Sequence, residues 1–144
     1  MLGIMLGNAK ESTTKKISLL GEESISYCIF SYFPLGGGMD SRTPQLQPLR
    51  AYSFEGTLIA TSIKTAEFIR PLKLPKKKLF YVETLEWFDV LNQRYQENGS
   101  PNANLRYEDL KKIYLNDDID LIVSNNEDYK TVSNLFKKPK HIVK

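Results

Sequence analysis

Glu83 and Glu86, with Thr84 between them and Trp87 just after, form the densest group of chemically capable side chains in this sequence. Two carboxylates near a strand end can act as a general base or bind sugar hydroxyls, and an indole can stack on a sugar face. A plainer role stands beside this one, with Glu86 starting a helix and Trp87 filling the core. A second group, Gly36, Gly37 and Gly38, follows an apolar run. Glycines at a strand exit let backbone N–H groups approach a phosphate or sugar without Cβ interference. The spacing is neither GxGxxG nor GxxxxGK[ST], so a purely structural loop is equally compatible. Arg42, a few residues on, could add a charge-assisted contact to an anion, although an exposed arginine is its default reading.

Ser124 and Asn125 end another apolar run, DLIV, and Thr61 and Ser62 end the run TLIA. Asn125 or Asn126 can cap a following helix, with Glu127 and Asp128 in its first turn. Asp118-Ile119-Asp120 has the DxD form of metal-dependent sugar transferases, but it precedes a strand. That puts both carboxylates at the wrong edge of a parallel sheet and reads as a solvated turn. Cys28 is the single cysteine and His141 the single histidine. An intrachain disulfide and a thiolate metal cluster are therefore excluded, and Cys28, inside SYCIF, reads as a small buried hydrophobe. No metal and no resident cofactor are implied.

These groups need a scaffold, and the stretch from Gly56 to Trp87 specifies one. TLIA is followed by apolar residues at Ile63, Ala66, Phe68, Ile69 and Leu72, which is the spacing of one helical face. Pro71 and Pro75 then break the chain before a second apolar run, LFYV. Two strands joined by a helix should be parallel neighbours in a right-handed crossover. In such sheets ligands bind outside the carboxyl ends of the strands, where Thr61-Ser62, Glu83-Thr84 and Ser124-Asn125 would lie.

Along the rest of the chain, Ser24 to Phe33 reads as a strand. Any helix between Met39 and Phe54 must be short or begin at Pro44 or Pro48. Tyr107 to Leu115 reads as an amphipathic helix with Leu110, Ile113 and Tyr114 on one side. A later helix should use Val132, Leu135 and Phe136, and HIV should begin a last strand. Residues 1–22 stay open between a short strand, a loose arm and a non-native start, so the domain is expected over 23–144. The fold class is α/β: an open, mostly parallel, Rossmann-like sheet with helices on both faces.

With 144 residues, 41% apolar and 26% charged, the chain suits one globular domain. Its net charge of +3 and separated lysine clusters, Lys76 to Lys78 and Lys137 to Lys140, leave no basic stripe for nucleic acid. The lysines read as solvated turn residues ahead of strands, in preference to the alternative of a phosphate-binding patch. The opening MLGIMLG lacks a basic flank and is too short for a membrane span, so a reduced, cytoplasmic setting is expected.

The runs GTLIATSIKTAEFI, KKKLFYVETLEW and DLIVSNNEDYKTVSNLF followed by KKPKHIV resemble the N-terminal half of GT-B-type glycosyltransferases, particularly short phage-encoded ones. The resemblance covers roughly residues 24–144. It implies that the exits "IATS", "YVETLEW" and "IVSN" line the acceptor side of an interdomain cleft, and that PLGGG faces the donor phosphates. The implied site comprises Glu83 and Glu86 as catalytic carboxylates. Gly36 to Gly38, Arg42, Thr61, Ser62, Thr84, Trp87, Ser124 and Asn125 would bind substrate. A nucleotide-sugar would be co-substrate, a hydroxyl compound the acceptor, and a C-terminal donor-binding domain the missing partner. Two departures stand out: no glutamate is followed by another eight positions later, so the family's Glu-x7-Glu is absent, and no long helix follows the glycine loop. The chain also stops at its last expected strand, as half of a larger architecture would. The competing expectation is a non-catalytic, flavodoxin-like module that holds a nucleotide or a protein at the same strand ends.

Overall fold

A computed structural model describes residues 2–6, 27–31, 45–82, 85 and 107–142. Its centre is a seven-stranded sheet in the order β3-β2-β1-β4-β5-β6-β7, every neighbouring pair parallel. The strands are β1 (Leu2–Met5), β2 (Tyr27–Phe30), β3 (Gln45–Leu46), β4 (Thr57–Ala60), β5 (Lys77–Val82), β6 (Ile119–Val123) and β7 (His141–Ile142). A sheet buried on both faces needs strands without polar alternation. LGIM, YCIF, TLIA and LFYV meet that need.

The strand left open in the N-terminal stretch lies in the interior of the sheet. β1 pairs with β2 on one side and β4 on the other, so the sheet includes residues before position 23. Chain direction across the sheet reverses there, which makes the gap between β1 and β4 the topological switch point. Counted with the two-residue β3, the order is that of dinucleotide-binding folds, and without β3 it is flavodoxin-like. Both orders put the crevice in the same place.

Gly3 shows why this short run tolerates a glycine. A Cβ there would lie 2.9 Å from Cε2 of Phe30 and 3.0 Å from Cε1 of Phe54. Those two rings form an edge-to-face pair with centroids 5.5 Å apart. The missing side chain makes room for the aromatic pair that packs over the strand.

Among the described residues three α-helices connect the strands: α1 (Ile63–Ile69), α2 (Tyr107–Tyr114) and α3 (Asn126–Leu135), with a 3-10 helix at Pro48–Ser53 that starts on a proline. From β4 to β7 the chain steps across the sheet in one direction, so right-handed crossovers put all three helices on one face. Ile63, Ala66 and Ile69 of α1, Leu110, Ile113 and Tyr114 of α2, and Val132 of α3 indeed share one core cluster with Met5, Cys28, Leu58, Phe80 and Leu121. The opposite faces of the strands form a second buried cluster, including Ile4, Ile29, Ile59, Tyr81 and Ile122. Each fully buried aliphatic side chain contributes roughly 1.5–3 kcal/mol relative to exposure.

One expected core residue is displaced. Leu135, at the end of α3, is 44% exposed. Phe136 leaves helical geometry at the C-cap and stacks on Tyr114, with centroids 4.7 Å apart, and Tyr129 also packs on this cluster. The apolar side of α3 is thus completed by Phe136 and Tyr129 rather than by Leu135. Among the described residues no helix is long and apolar enough to cross a membrane.

Candidate functional site

The carboxyl edge is assembled from the ends of adjacent strands. At the switch point Thr61, the residue after β4, donates its hydroxyl proton to the carbonyl oxygen of Met5, the last residue of β1, at 2.7 Å. The side chain ties together the two strand ends that flank the crevice. Ser62 continues into a capping box: its Oγ accepts the N–H of Thr65 at 3.2 Å. Thr65 Oγ1 accepts the N–H groups of Thr61 and Ser62 at 3.1 and 2.9 Å and lies 3.0 Å from the Ser62 carbonyl oxygen, to which it can donate.

Those bonds use the Thr65 hydroxyl fully, with two N–H groups on its lone pairs and its single proton directed back to Ser62. Ser62 is thus a helix cap first, and its backbone N–H is not offered to a ligand. Thr65 was the partner that sequence reading missed, although a hydroxyl three residues after a serine cap is a capping-box variant. No acidic residue enters the first turn of α1.

The equivalent position one unit later is different in charge. Asn125 caps α3, its Oδ1 accepting the N–H of Asp128 at 2.7 Å and its Nδ2 donating to Asp128 Oδ2 at 3.0 Å and Ser124 Oγ at 3.3 Å. Glu127 and Asp128 occupy the first turn of α3, where they complement the positive end of the helix dipole. They also make this helix start unattractive to a phosphate. Across the edge, a neutral exit after β4 therefore faces an acidic one after β6.

β5 lies between these two strands. Its last residue, Val82, pairs with Val123 of β6, and Glu83 is next in sequence. Glu83, Thr84, Glu86, Trp87, Gly36, Gly37, Gly38 and Arg42 lie outside the described residues. Leu85 is described and packs partly against the first core cluster. The fold thus brings Thr61, Ser62, Ser124 and Asn125 to one edge, flanking the strand that leads to the two glutamates. Cys28 is buried, and burial pushes its thiol up from 9.0, in keeping with a core role. No group of three His, Cys, Asp or Glu residues that could hold a metal occurs among the described residues.

The opposite, amino edge corrects the reading of the lysines. Lys78 is not a solvated turn residue: it is 8% exposed, and its ammonium donates to the carbonyl oxygens of Arg70 at 2.8 Å and Leu72 at 3.0 Å. It neutralises the carbonyl end of α1. Burial pushes its pKa below the usual lysine range; Asp118 opposes that shift and Lys73 adds to it. Lys137, half-buried, donates in the same way to the carbonyls of Asn116 and Ile119, and burial lowers its pKa against the pull of Asp120 and Asp117. A cavity of about 270 Å³ opens beside Lys78 between the end of α1 and the start of β5. Asp118 precedes β6 at this amino edge, whereas Asp120, expected ahead of the strand in a solvated turn, is the second residue of β6 and pairs with Leu79 because the strand starts one residue earlier than the run DLIV.

No family model, curated protein or solved structure matches the chain.

Proposed function

We propose that this chain is the acceptor-side half of a GT-B-like glycosyltransferase, acting with a donor-binding domain to transfer a sugar from a nucleotide-sugar to a hydroxyl. One observation carries the reading: the exits of β4 and β6, with β5 between them, lie side by side on the edge that holds the switch point between β1 and β4. That edge is where open parallel sheets bind ligands. The resemblance of "IATS", "YVETLEW" and "IVSN" to the family falls on these three exits.

In this reading Glu83 or Glu86, following β5, takes the proton of the acceptor hydroxyl, whose oxygen attacks the anomeric carbon as the bond to the nucleotide diphosphate breaks. The Gly36–Gly38 backbone and Arg42 approach the donor phosphates, and Trp87 stacks on sugar. The capped exits Thr61-Ser62 and Ser124-Asn125 act as rigid walls that orient the acceptor, since their hydrogen bonds fix them before any substrate arrives. A transfer assay with nucleotide-sugars, run on the chain alone and joined to a donor-binding Rossmann domain, tests the proposal. Activity that needs the second domain and falls in Glu83→Gln or Glu86→Gln supports it. Activity indifferent to both glutamates removes them from the chemistry.

A further inference from the structure

We propose that the cavity at the amino edge of the sheet is a second binding site, specific for a phosphate group and separate from the carboxyl-edge cleft. The two edges are roughly 17–20 Å apart, the length of a strand of five or six residues. The cavity is lined by Arg70, Lys73, Lys76, Lys77 and Lys78, against a single carboxylate, Asp118. Lys78 spends its charge on the carbonyl end of α1, which offsets one of the two features that would repel an anion and leaves the Asp118 carboxylate outnumbered by four cations. The side chains of the other four cations are exposed, and none makes a hydrogen bond or ion pair among the described residues.

Their backbone, in contrast, is held firmly. The N–H of Lys76 donates to the carbonyls of Glu55 and Gly56 at 2.9 and 3.0 Å, Lys78 staples the turn from inside, and Pro71 and Pro75 restrict it further. Four like charges around a fixed bowl repel one another, and a dianion relieves all the repulsions at once while accepting several charge-assisted hydrogen bonds. At about 270 Å³ the cavity is just below the range of pockets that enclose a whole small molecule, so it suits a phosphate or diphosphate whose remaining part stays outside. That phosphate can belong to a free ester or to a lipid headgroup. Leu74, 54% exposed within the same loop, is placed to enter a lipid surface in the second case.

The test is titration of the full chain with inorganic pyrophosphate by calorimetry, and in parallel with vesicles of phosphatidic acid in phosphatidylcholine. Lys73→Ala/Lys77→Ala removes two exposed cations without touching the core and should weaken binding about tenfold or more. Lys64→Ala/Lys130→Ala, which removes the same charge from exposed positions on α1 and α3, should leave it unchanged. Pyrophosphate binding that follows this pattern supports a soluble phosphate ligand. Binding to the vesicles alone, weakened also by Leu74→Ser, supports a phospholipid headgroup. Absence of binding in both arms, or equal losses in the two double variants, overturns the proposal.

Discussion

The Thr61 hydroxyl donates to the Met5 carbonyl at 2.7 Å, across the gap where the sheet reverses direction. This bond joins the ends of the two strands that flank the switch point, and it fixes the geometry of the crevice from within. Thr61→Val keeps the shape but leaves the Met5 carbonyl without this donor, and should cost about 1 kcal/mol, rising towards 3 if water cannot replace it. Thr61→Ser should recover most of the loss. Urea unfolding of the three proteins checks both expectations; equal midpoints would deny the bond any role.

Thr65 is the pivot of the neighbouring cap. Its hydroxyl accepts two backbone N–H groups, so Thr65→Val strands both and should destabilise more than Ser62→Ala, which removes a single cap at about 1 kcal/mol. Thermal unfolding ranks the two. The reverse order would mean that the Ser62 side chain, and not Thr65, organises the turn.

How far these features could be read beforehand depends on whether their cause is local. The β4-α1-β5 and β6-α3 units were legible because apolar runs, the helical spacing and capping residues such as Asn125 all act within a few positions. β1 was not. LGIM spans four residues and includes a glycine whose purpose, space for Phe30 and Phe54, exists only after distant segments meet. The two-residue β3 carries no periodicity at all. Lys78 looked solvated because its neighbours in sequence are lysines, yet its partners are the carbonyls at the end of a helix that folds back over it. Of the site, the strand exits were legible, and the Thr61–Met5 link awaited the position of β1.

Gly3→Ala tests the packing at β1. The added methyl would meet Phe30 at 2.9 Å and Phe54 at 3.0 Å, so one buried ring or the strand must move. Overpacking of this kind costs roughly 1–3 kcal/mol. Chemical denaturation should show that loss, and the double variant Gly3→Ala/Phe54→Leu should recover part of it. A neutral Gly3→Ala would mean that the ring pair shifts freely.

The lowered pKa of Lys78 has a defined sign in stability. The native lysine gives up its proton at a lower pH than the unfolded lysine, whose value is near 10.5. Between those two values the unfolded chain binds more protons, so this group makes stability rise with pH there. Below the native pKa the dehydration penalty is present in full. Cys28 acts in the opposite sense above pH 9.0, because its native thiol stays protonated. Comparison with Lys78→Met cancels that effect: the stability of the native protein relative to the variant should increase through the alkaline range up to about 10.5. A difference that stays flat with pH would place the ammonium in water.

The proposed function requires the edge formed by the ends of β4, β5 and β6 to hold the acceptor of a sugar transfer, with a glutamate after β5 as base. The most direct measurement is the rate of transfer from a nucleotide-sugar by the chain joined to a donor-binding domain, for the native protein, Glu83→Gln and Glu86→Gln. The expected result is a fall of about 10²–10⁴-fold in one of the two variants with folding intact. Native rates in both would contradict it.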